Sequence, residues 1–508
     1  MNKYILLVIF IIQLLSCNHT KTTTSINKLG SIILNPYGYT PLSAIYKISS
    51  INSSPITVTV KGQHGENDLI HTYEAGYGTE FEIHGLYPEC NNTIIVNDAG
   101  RIIIKNQYVD SITFNGIKIP SKFKIEYNNL EKENYSNNPD LYFVGLKSDV
   151  TLGISKNGFL RYFNNKSYFS KIDINKKNIM LFSFKINDIG CIYSLSGKKI
   201  LEFPTSHHHD IIKHNDHYIY LSDSQYGSED RLIEIDQSGN IIKDLNFGNL
   251  IENIVYKKND KDEIEKYKKV VFGEAVNNIY KYNSVNKNVD WFHANSLVYD
   301  NNTDILYVSS RHRGVLAINY SKWELIWWMA DDSINTTVDI NAISTTIPYD
   351  MHFKDLKSLE PYRVNGDALK DGPKNQHALF LLKNGHIGMF DNQGDENINL
   401  NGSRYVEYKV TGTHGNYRAE KIYEYRKTSL YSRITSDIDY TGINYQNILI
   451  AYGTAKKIIE LEKNTKKELF NLDIDLSFSD FLYRVDKMPF YYDENRIYSE
   501  DDNMKNKN

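Results

Sequence analysis

"HANSLVYDNNTDILYVSSR" (residues 293–311) reads as one β-hairpin: a polar opening, a β-run, a turn rich in Asn and Asp, and a second β-run ending in serine. Two other stretches repeat the plan, "HHHDIIKHNDHYIYLSDS" (207–224) and "NQHALFLLKNGHIGMFDN" (375–392). Their second runs "YIYLS", "ILYVS" and "IGMFD" begin 9 to 10 residues after His209, Asn295 and His377. A weaker copy is "SDIDYTGINYQNILIAYG" (436–453), and the runs "DLYFVGLKSDVTLGI" (140–154) and "NIMLFSFKINDIGCIYSL" (178–195) suggest two more. Such units, with almost no helical periodicity, predict an all-β chain whose residues 135–500 form a six-bladed β-propeller. Residues 250–290 and 331–372 are then excursions between blades. Two or three tandem sandwiches, the competing all-β reading, explain the repeated polar opening less well.

Ahead of the repeats, residues 30–130 alternate in short β-runs such as "SAIYKIS", "ITVTVKG" and "RIIIKN", with turns at about ten-residue intervals. They predict a small N-terminal β-sandwich domain. Residues 18–29 are polar and suit a tether. Residues 1–17, "MNKYILLVIFIIQLLSC", hold an apolar run from Tyr4 to Leu15 interrupted by Gln13. A bilayer takes about 20 apolar residues, so the run reads as an export signal. "LLSC" resembles the lipobox of bacterial lipoproteins, which implies acylation of Cys17 and a periplasmic or cell-surface protein lipid-anchored to a bacterial membrane. A signal cleaved elsewhere, with Cys17 incidental, is the plainer alternative. Cys90 and Cys191 remain as thiols that an oxidising compartment would allow to pair.

The 508 residues carry a net charge of −4, and their 58 basic side chains form no stripe, so a nucleic-acid partner is not expected. The propeller topology says more. The first strand of each blade lines the central channel and the second returns beside it, so His293 and Asn295 at one strand's start meet Ser310 and Arg311 at its partner's end. Strand alternation points His293 and Asn295 to one face. By the repeat, His209 and His377 occupy the same rim. Arginine, imidazoles and an amide together suit an anionic oxyacid group. Neutral imidazole can also act as nucleophile or base.

Plainer readings stand beside this one. Any single rim histidine could serve only to hydrogen-bond the next blade. In "HHHD", His207 and His209 share a face and could ligate copper or zinc. The absence of a carboxylate or cysteine at a comparable rim position argues against that. His214, His217, His312, His352, His386 and His414 fall in turns or beyond strand ends and read as solvated.

These same residues resemble the bacterial arylsulfate sulfotransferases, over nearly everything after the tether. "ILNPYGYTPLSAIYKI" with "ITVTVKG" resembles the family's N-terminal sandwich. "HHD", "DWFHANSLVYD", "LYVSSRH" and "QHALFLLKNG…FDN" resemble its propeller motifs. The resemblance implies transfer of a sulfuryl group from an aryl sulfate donor to a phenolic acceptor, with no cofactor and no nucleotide donor. It implies ping-pong kinetics through a sulfohistidine on His377. His293, Asn295 and Arg311 match groups that hold the sulfuryl oxygens. The "HHD" pocket histidine aligns with His209, with His208 as the alternative, and Thr435 and Ser436 match a further polar pocket residue. A homodimer is compatible with this reading, as is a non-catalytic ligand-binding or metal-binding propeller lipoprotein. No formylglycine-type C/S-x-P-x-R and no GxxxxGK loop occurs, which disfavours a sulfatase and a nucleotide-dependent enzyme. Residues 331–372 also lack the cysteines of a disulfide that some family members carry.

Overall fold

The computed structural model describes residues 30–130, 137–147, 150–166, 168–175, 178–185, 188–224, 229–272, 290–334, 352–394, 402–442 and 446–493. The export signal, the tether and Cys17 lie outside them. Six sheets, each built on a four-strand antiparallel meander and two of them extended by a fifth edge strand, follow one another along the chain. Their inner strands are β1 (Tyr168–Asn175), β2 (His208–His214), β3 (Ala294–Asp300), β4 (His377–Leu381), β5 (Asp437–Thr441) and β6 (Leu482–Met488). Each packs against the next, and β6 packs against both β5 and β1, so the six surround one channel. This is propeller architecture.

The last sheet joins the two ends of the propeller: β6 pairs with Leu141–Leu146, which leads on to Val150–Ser155 and Leu160–Asn164. Ile125–Asn128, which the sequence reading placed in the N-terminal domain, instead pairs with Glu468–Asp473 at the outer edge of the β5 sheet. Hydrogen bonds between sheets set their register. Asp210 Oδ2 accepts from Leu297 N at 2.8 Å, Ser296 Oγ from Leu379 N at 2.9 Å, and Asp437 Oδ2 from Val485 N at 3.0 Å. Each acceptor follows one residue after His209, Asn295 and Ser436, so the repeat read from the sequence is in register with the fold.

The N-terminal domain stacks a sheet of Ser31–Leu34, Ser43–Lys47 and Glu80–His84 on one built from Ile56–Val60, Leu69–Tyr73, Cys90–Asp98 and Arg101–Val109. Its core is continuous with that of the last propeller sheet. Arg161, 2% exposed, reaches across to pair with Glu66 and to donate to the Gly85 carbonyl, its guanidinium 3.8 Å from the Tyr87 ring centre. Cys90 and Cys191 are both free.

The first excursion is partly helical. Phe247, Leu250, Ile251 and Val255 follow the i, i+3, i+4, i+8 spacing of one helical face, and all are buried in helix α1 (Phe247–Val255). Asn246 caps it by accepting from Gly248 N and Asn249 N. With helix α2 (Lys261–Phe272) it covers Trp291, whose fully buried indole donates to Asp230 Oδ2 at 2.9 Å. Packing of that tryptophan fixes the chain just before His293.

Candidate active site

Three of the predicted histidines meet. The ring centres of His209 and His293 lie 5.1 Å apart, and those of His209 and His377 6.3 Å apart. Simple alternation does not place them there. Each inner strand is bulged where it enters the cluster, between His208 and Ile211, Ala294 and Ser296, and His377 and Phe380. His209 and His293 themselves adopt left-handed backbone, with φ of 53° and 56°. A bulge inserts unpaired residues and re-aims their side chains, and a non-glycine residue at positive φ marks local strain held by its surroundings. The expected common face of His293 and Asn295 is therefore lost: Asn295 turns to the next sheet and donates to the Gln376 carbonyl at 2.8 Å. Its Oδ1 is buried with no hydrogen-bond partner.

His377 is held by Asn392. The Asn392 amide nitrogen donates to the Ser432 carbonyl at 2.7 Å and the Thr435 carbonyl at 3.2 Å, so its oxygen faces His377 Nδ1, 2.9 Å away. That oxygen only accepts, so Nδ1 carries the proton and Nε2 keeps its lone pair. Nε2 has no protein partner among the described residues. Burial first, then His209 and Arg311, hold this imidazole well below the usual histidine range. It is neutral at physiological pH.

His293 is poised the other way. Its Nδ1 lies 2.8 Å from Asp290 Oδ2 and 3.0 Å from Glu229 Oε2. Burial opposes its protonation, but Asp290 and Glu229 outweigh that and raise its pKa. Arg311 follows in the same hairpin, and its backbone N–H donates to the His293 carbonyl at 2.9 Å, as the topology required. His209 has both ring nitrogens engaged, Nδ1 with the Tyr483 hydroxyl at 2.8 Å and Nε2 with Glu229 Oε1 at 3.1 Å. Burial, with His293 and His208 nearby, outweighs Glu229 and lowers its pKa.

Other expectations need correction. His208 Nε2 turns to Asp223 Oδ2 at 2.7 Å while its Nδ1 lies 3.6 Å from Glu229 Oε1, so it sits at the edge of the cluster, and His209 is the histidine of "HHD" that packs against both His293 and His377. His207 does not share a face with His209, because the bulge intervenes. It is fully buried against Phe203 and Tyr220. Thr435 and Ser436 spend their hydroxyls on the scaffold: Thr435 Oγ1 lies 2.8 Å from the Leu482 carbonyl, and Ser436 Oγ accepts from Gly453 N at 2.9 Å. Thr435 serves the site through its carbonyl, by orienting Asn392. His312 and His352 are buried, not solvated. His312 Nε2 lies 3.3 Å from Asp290 Oδ2, and His352 Nε2 bonds the His312 carbonyl at 2.9 Å. Carboxylates do stand at the rim: Glu229 and Asp290 are the groups the sequence reading missed, although Asp290 sits three residues before His293.

Two residues of β6 close the channel from the opposite side. The Tyr483 hydroxyl also reaches the His209 carbonyl at 2.9 Å. Arg484 pairs with Asp210 on β2 at 3.3 Å and Asp437 on β5 at 3.1 Å. Because β2 and β6 are not neighbours in the ring, these contacts span the channel.

The arylsulfotransferase (ASST) family model matches residues 127–484, and the arylsulfotransferase Ig-like domain model matches residues 31–109. The chain belongs to the arylsulfotransferase family. As a member it is an aryl-sulfate sulfotransferase. Arylsulfate sulfotransferase AssT of Escherichia coli O6:H1 is 22% identical over 88% of this chain and 90% of its own length. AssT of Lelliottia amnigena is 23% identical over the same shares. Among solved structures, a protein of unknown function from Bacteroides caccae is similar with a TM-score of 0.40 at 8% identity, over 69% of this chain and 99% of that one.

Proposed function

We propose that this arylsulfotransferase works by double displacement at His377, with no nucleotide donor. The observation that carries the reading is the Asn392 contact, which leaves an unprotonated, unpartnered His377 Nε2 beside the cationic groups of the cluster. In the first half-reaction Nε2 attacks the sulfur of the aryl sulfate. The S–N bond forms as the S–O bond to the aryl oxygen breaks, and the phenolate takes a proton from His293. In the second, His293 takes the proton of the acceptor phenol, whose oxygen displaces the imidazole from sulfur. Sulfuryl transfer resembles phosphoryl transfer in its loose transition state, so prearranged positive groups supply much of the catalysis. Arg311 and the protonated His293 serve that role, and His209 packs between His293 and His377.

Export and tethering through a lipid on Cys17, to the periplasmic side or the cell surface, are part of this proposal. The short apolar run and "LLSC" support them. The test of the reaction is release of a chromogenic phenol from an aryl sulfate with and without a second phenol. Release that depends on acceptor and is lost in His377→Ala supports the reading. Absence of turnover with every phenol tried, or full activity in His377→Ala, contradicts it.

A further inference from the structure

We infer that His209, Glu229 and His293 form a binding site for one divalent transition-metal ion of the zinc class, and that its occupancy suppresses sulfuryl transfer. The suppression rests on the double-displacement reading; the binding does not. One ligand atom from each of His209, Glu229 and His293 lies within 4.8 Å of the other two, with His209 Nε2 and His293 Nδ1 each facing an oxygen of Glu229. They come from separate elements, yet all are held. Glu229 N donates to Asp223 Oδ1 at 2.8 Å and its carbonyl accepts from Ala294 N at 2.9 Å, which fixes this carboxylate against the start of β3.

Hydrogen bonding alone does not satisfy these groups. Two carboxylate oxygens, Asp290 Oδ2 and Glu229 Oε2, converge on the single nitrogen His293 Nδ1 at 2.8 and 3.0 Å. One N–H lies along one direction and serves Asp290, so Glu229 Oε2 stays buried without a hydrogen-bond partner. Asp290, 8% exposed, has its other oxygen, Oδ1, buried and unpartnered as well. A cation in place of that proton satisfies the convergence. Zinc binds imidazole nitrogen at about 2.0–2.1 Å and carboxylate oxygen at about 2.0–2.2 Å in a tetrahedron, which sets ligand atoms about 3.3 Å apart. The observed 3.1 Å from His209 Nε2 to Glu229 Oε1 and 3.0 Å from His293 Nδ1 to Glu229 Oε2 need little movement to reach that spacing. Two carboxylates, Glu229 and Asp290, balance a dication with both imidazoles neutral. Two imidazoles with carboxylate select zinc, copper or nickel over magnesium and calcium, which prefer all-oxygen shells. Three protein ligands leave a fourth position for water or an anionic oxygen. A metal on His293 Nδ1 takes the place of one of the two imidazolium protons and leaves a neutral imidazole whose Nε2–H is a much weaker acid, so protonation of the leaving phenolate is suppressed.

The experiment titrates tag-free, chelator-stripped protein with zinc chloride, by calorimetry and by elemental analysis after dialysis. One zinc per chain is expected, with affinity falling at least tenfold in Glu229→Gln and in His209→Ala, and retained in His312→Ala and His377→Ala. Magnesium chloride should not bind. X-ray absorption of the zinc-loaded wild type, which needs no variant to fold, should show two imidazoles and no sulfur. Substoichiometric zinc, a sulfur ligand, or affinity unchanged in both ligand variants overturns the site. In the same samples zinc should slow acceptor-dependent phenol release, and chelator should restore it. Unchanged turnover at full zinc occupancy overturns the suppression. If metal-free protein transfers no sulfuryl group at all, the double-displacement reading fails while the zinc count still decides the site.

Discussion

His377 Nδ1 lies 2.9 Å from Asn392 Oδ1, and this contact with a neutral amide fixes which imidazole nitrogen is left to react. Replacing the amide by a carboxylate puts a negative charge in front of Nδ1 and removes the donor to the Ser432 and Thr435 carbonyls. In Asn392→Asp an anionic partner favours the imidazolium, so the pKa of His377 rises from its depressed value. The acid limb of kcat/KM for the aryl sulfate should move to higher pH. Activity at mildly acidic pH should fall, by about tenfold for each unit by which the raised pKa exceeds the pH, and recover at alkaline pH. A pH–rate profile of both proteins checks this.

Asp290 acts on the opposite partner. Asp290→Asn removes one of the two carboxylates that raise the pKa of His293. The imidazolium should then deprotonate at lower pH, and the alkaline limb of the profile should shift down. The loss should be largest for donors whose leaving phenol is weakly acidic, because those need the proton most. A series of ring-substituted aryl sulfates gives the dependence on leaving-group pKa, which should steepen in the variant.

Gln376 was unassigned in the sequence reading, yet it is fully buried between sheets. Its side-chain amide nitrogen donates to Ser309 Oγ and the carbonyls of Ser310 and Gly314, while its main-chain carbonyl accepts from Asn295 and Ser309. Gln376→Ala removes the shared donor to Ser309 Oγ and to the Ser310 and Gly314 carbonyls, at about 1–3 kcal/mol. Urea denaturation should show that loss with an unchanged slope, and kcat should fall because Arg311 and His377 lose their shared brace.

His352 makes folding acid-sensitive. Burial, with Arg313 close by, holds its pKa well below the ordinary 6.5, and Nδ1 is buried without a hydrogen-bond partner. A depressed folded pKa means the stabilisation is complete above about 6.5. It is lost as pH falls, because the unfolded chain takes up the proton first. Stability measured by urea from pH 7.5 to 5 should drop, and the drop should be shallower in His352→Gln.

The sequence carried the repeat and much of the cluster because both depend on strand order. Asp210, Ser296 and Asp437 bond successive sheets at equivalent places, which is why His209 and His377 could be aligned without a structure. Positions set by departures from regular strand were not legible. The left-handed His209 and His293 abolish alternation locally, so Asn295 and His207 point away from where a period of two puts them. Glu229 belongs to no repeat, and nothing local marks it as the partner of His209. Asp290 precedes Trp291 by one residue and shared a quoted motif with His293, but its role depends on how that tryptophan packs. Asn392 closed the "FDN" motif without a role, because its partner His377 lies across the hairpin. His312 and His352 read as solvated because the excursion that buries them leaves no strand pattern.

The covalent intermediate is the account's central claim, and it is tested by mixing the protein with an aryl sulfate in the absence of acceptor and quenching at alkaline pH. Intact mass and peptide mapping should show one sulfuryl group per chain on the peptide bearing His377, discharged by added phenol and absent in His377→Ala. A stoichiometric burst of phenol with no adduct, an adduct on another residue, or steady-state kinetics that require donor and acceptor bound together would contradict it.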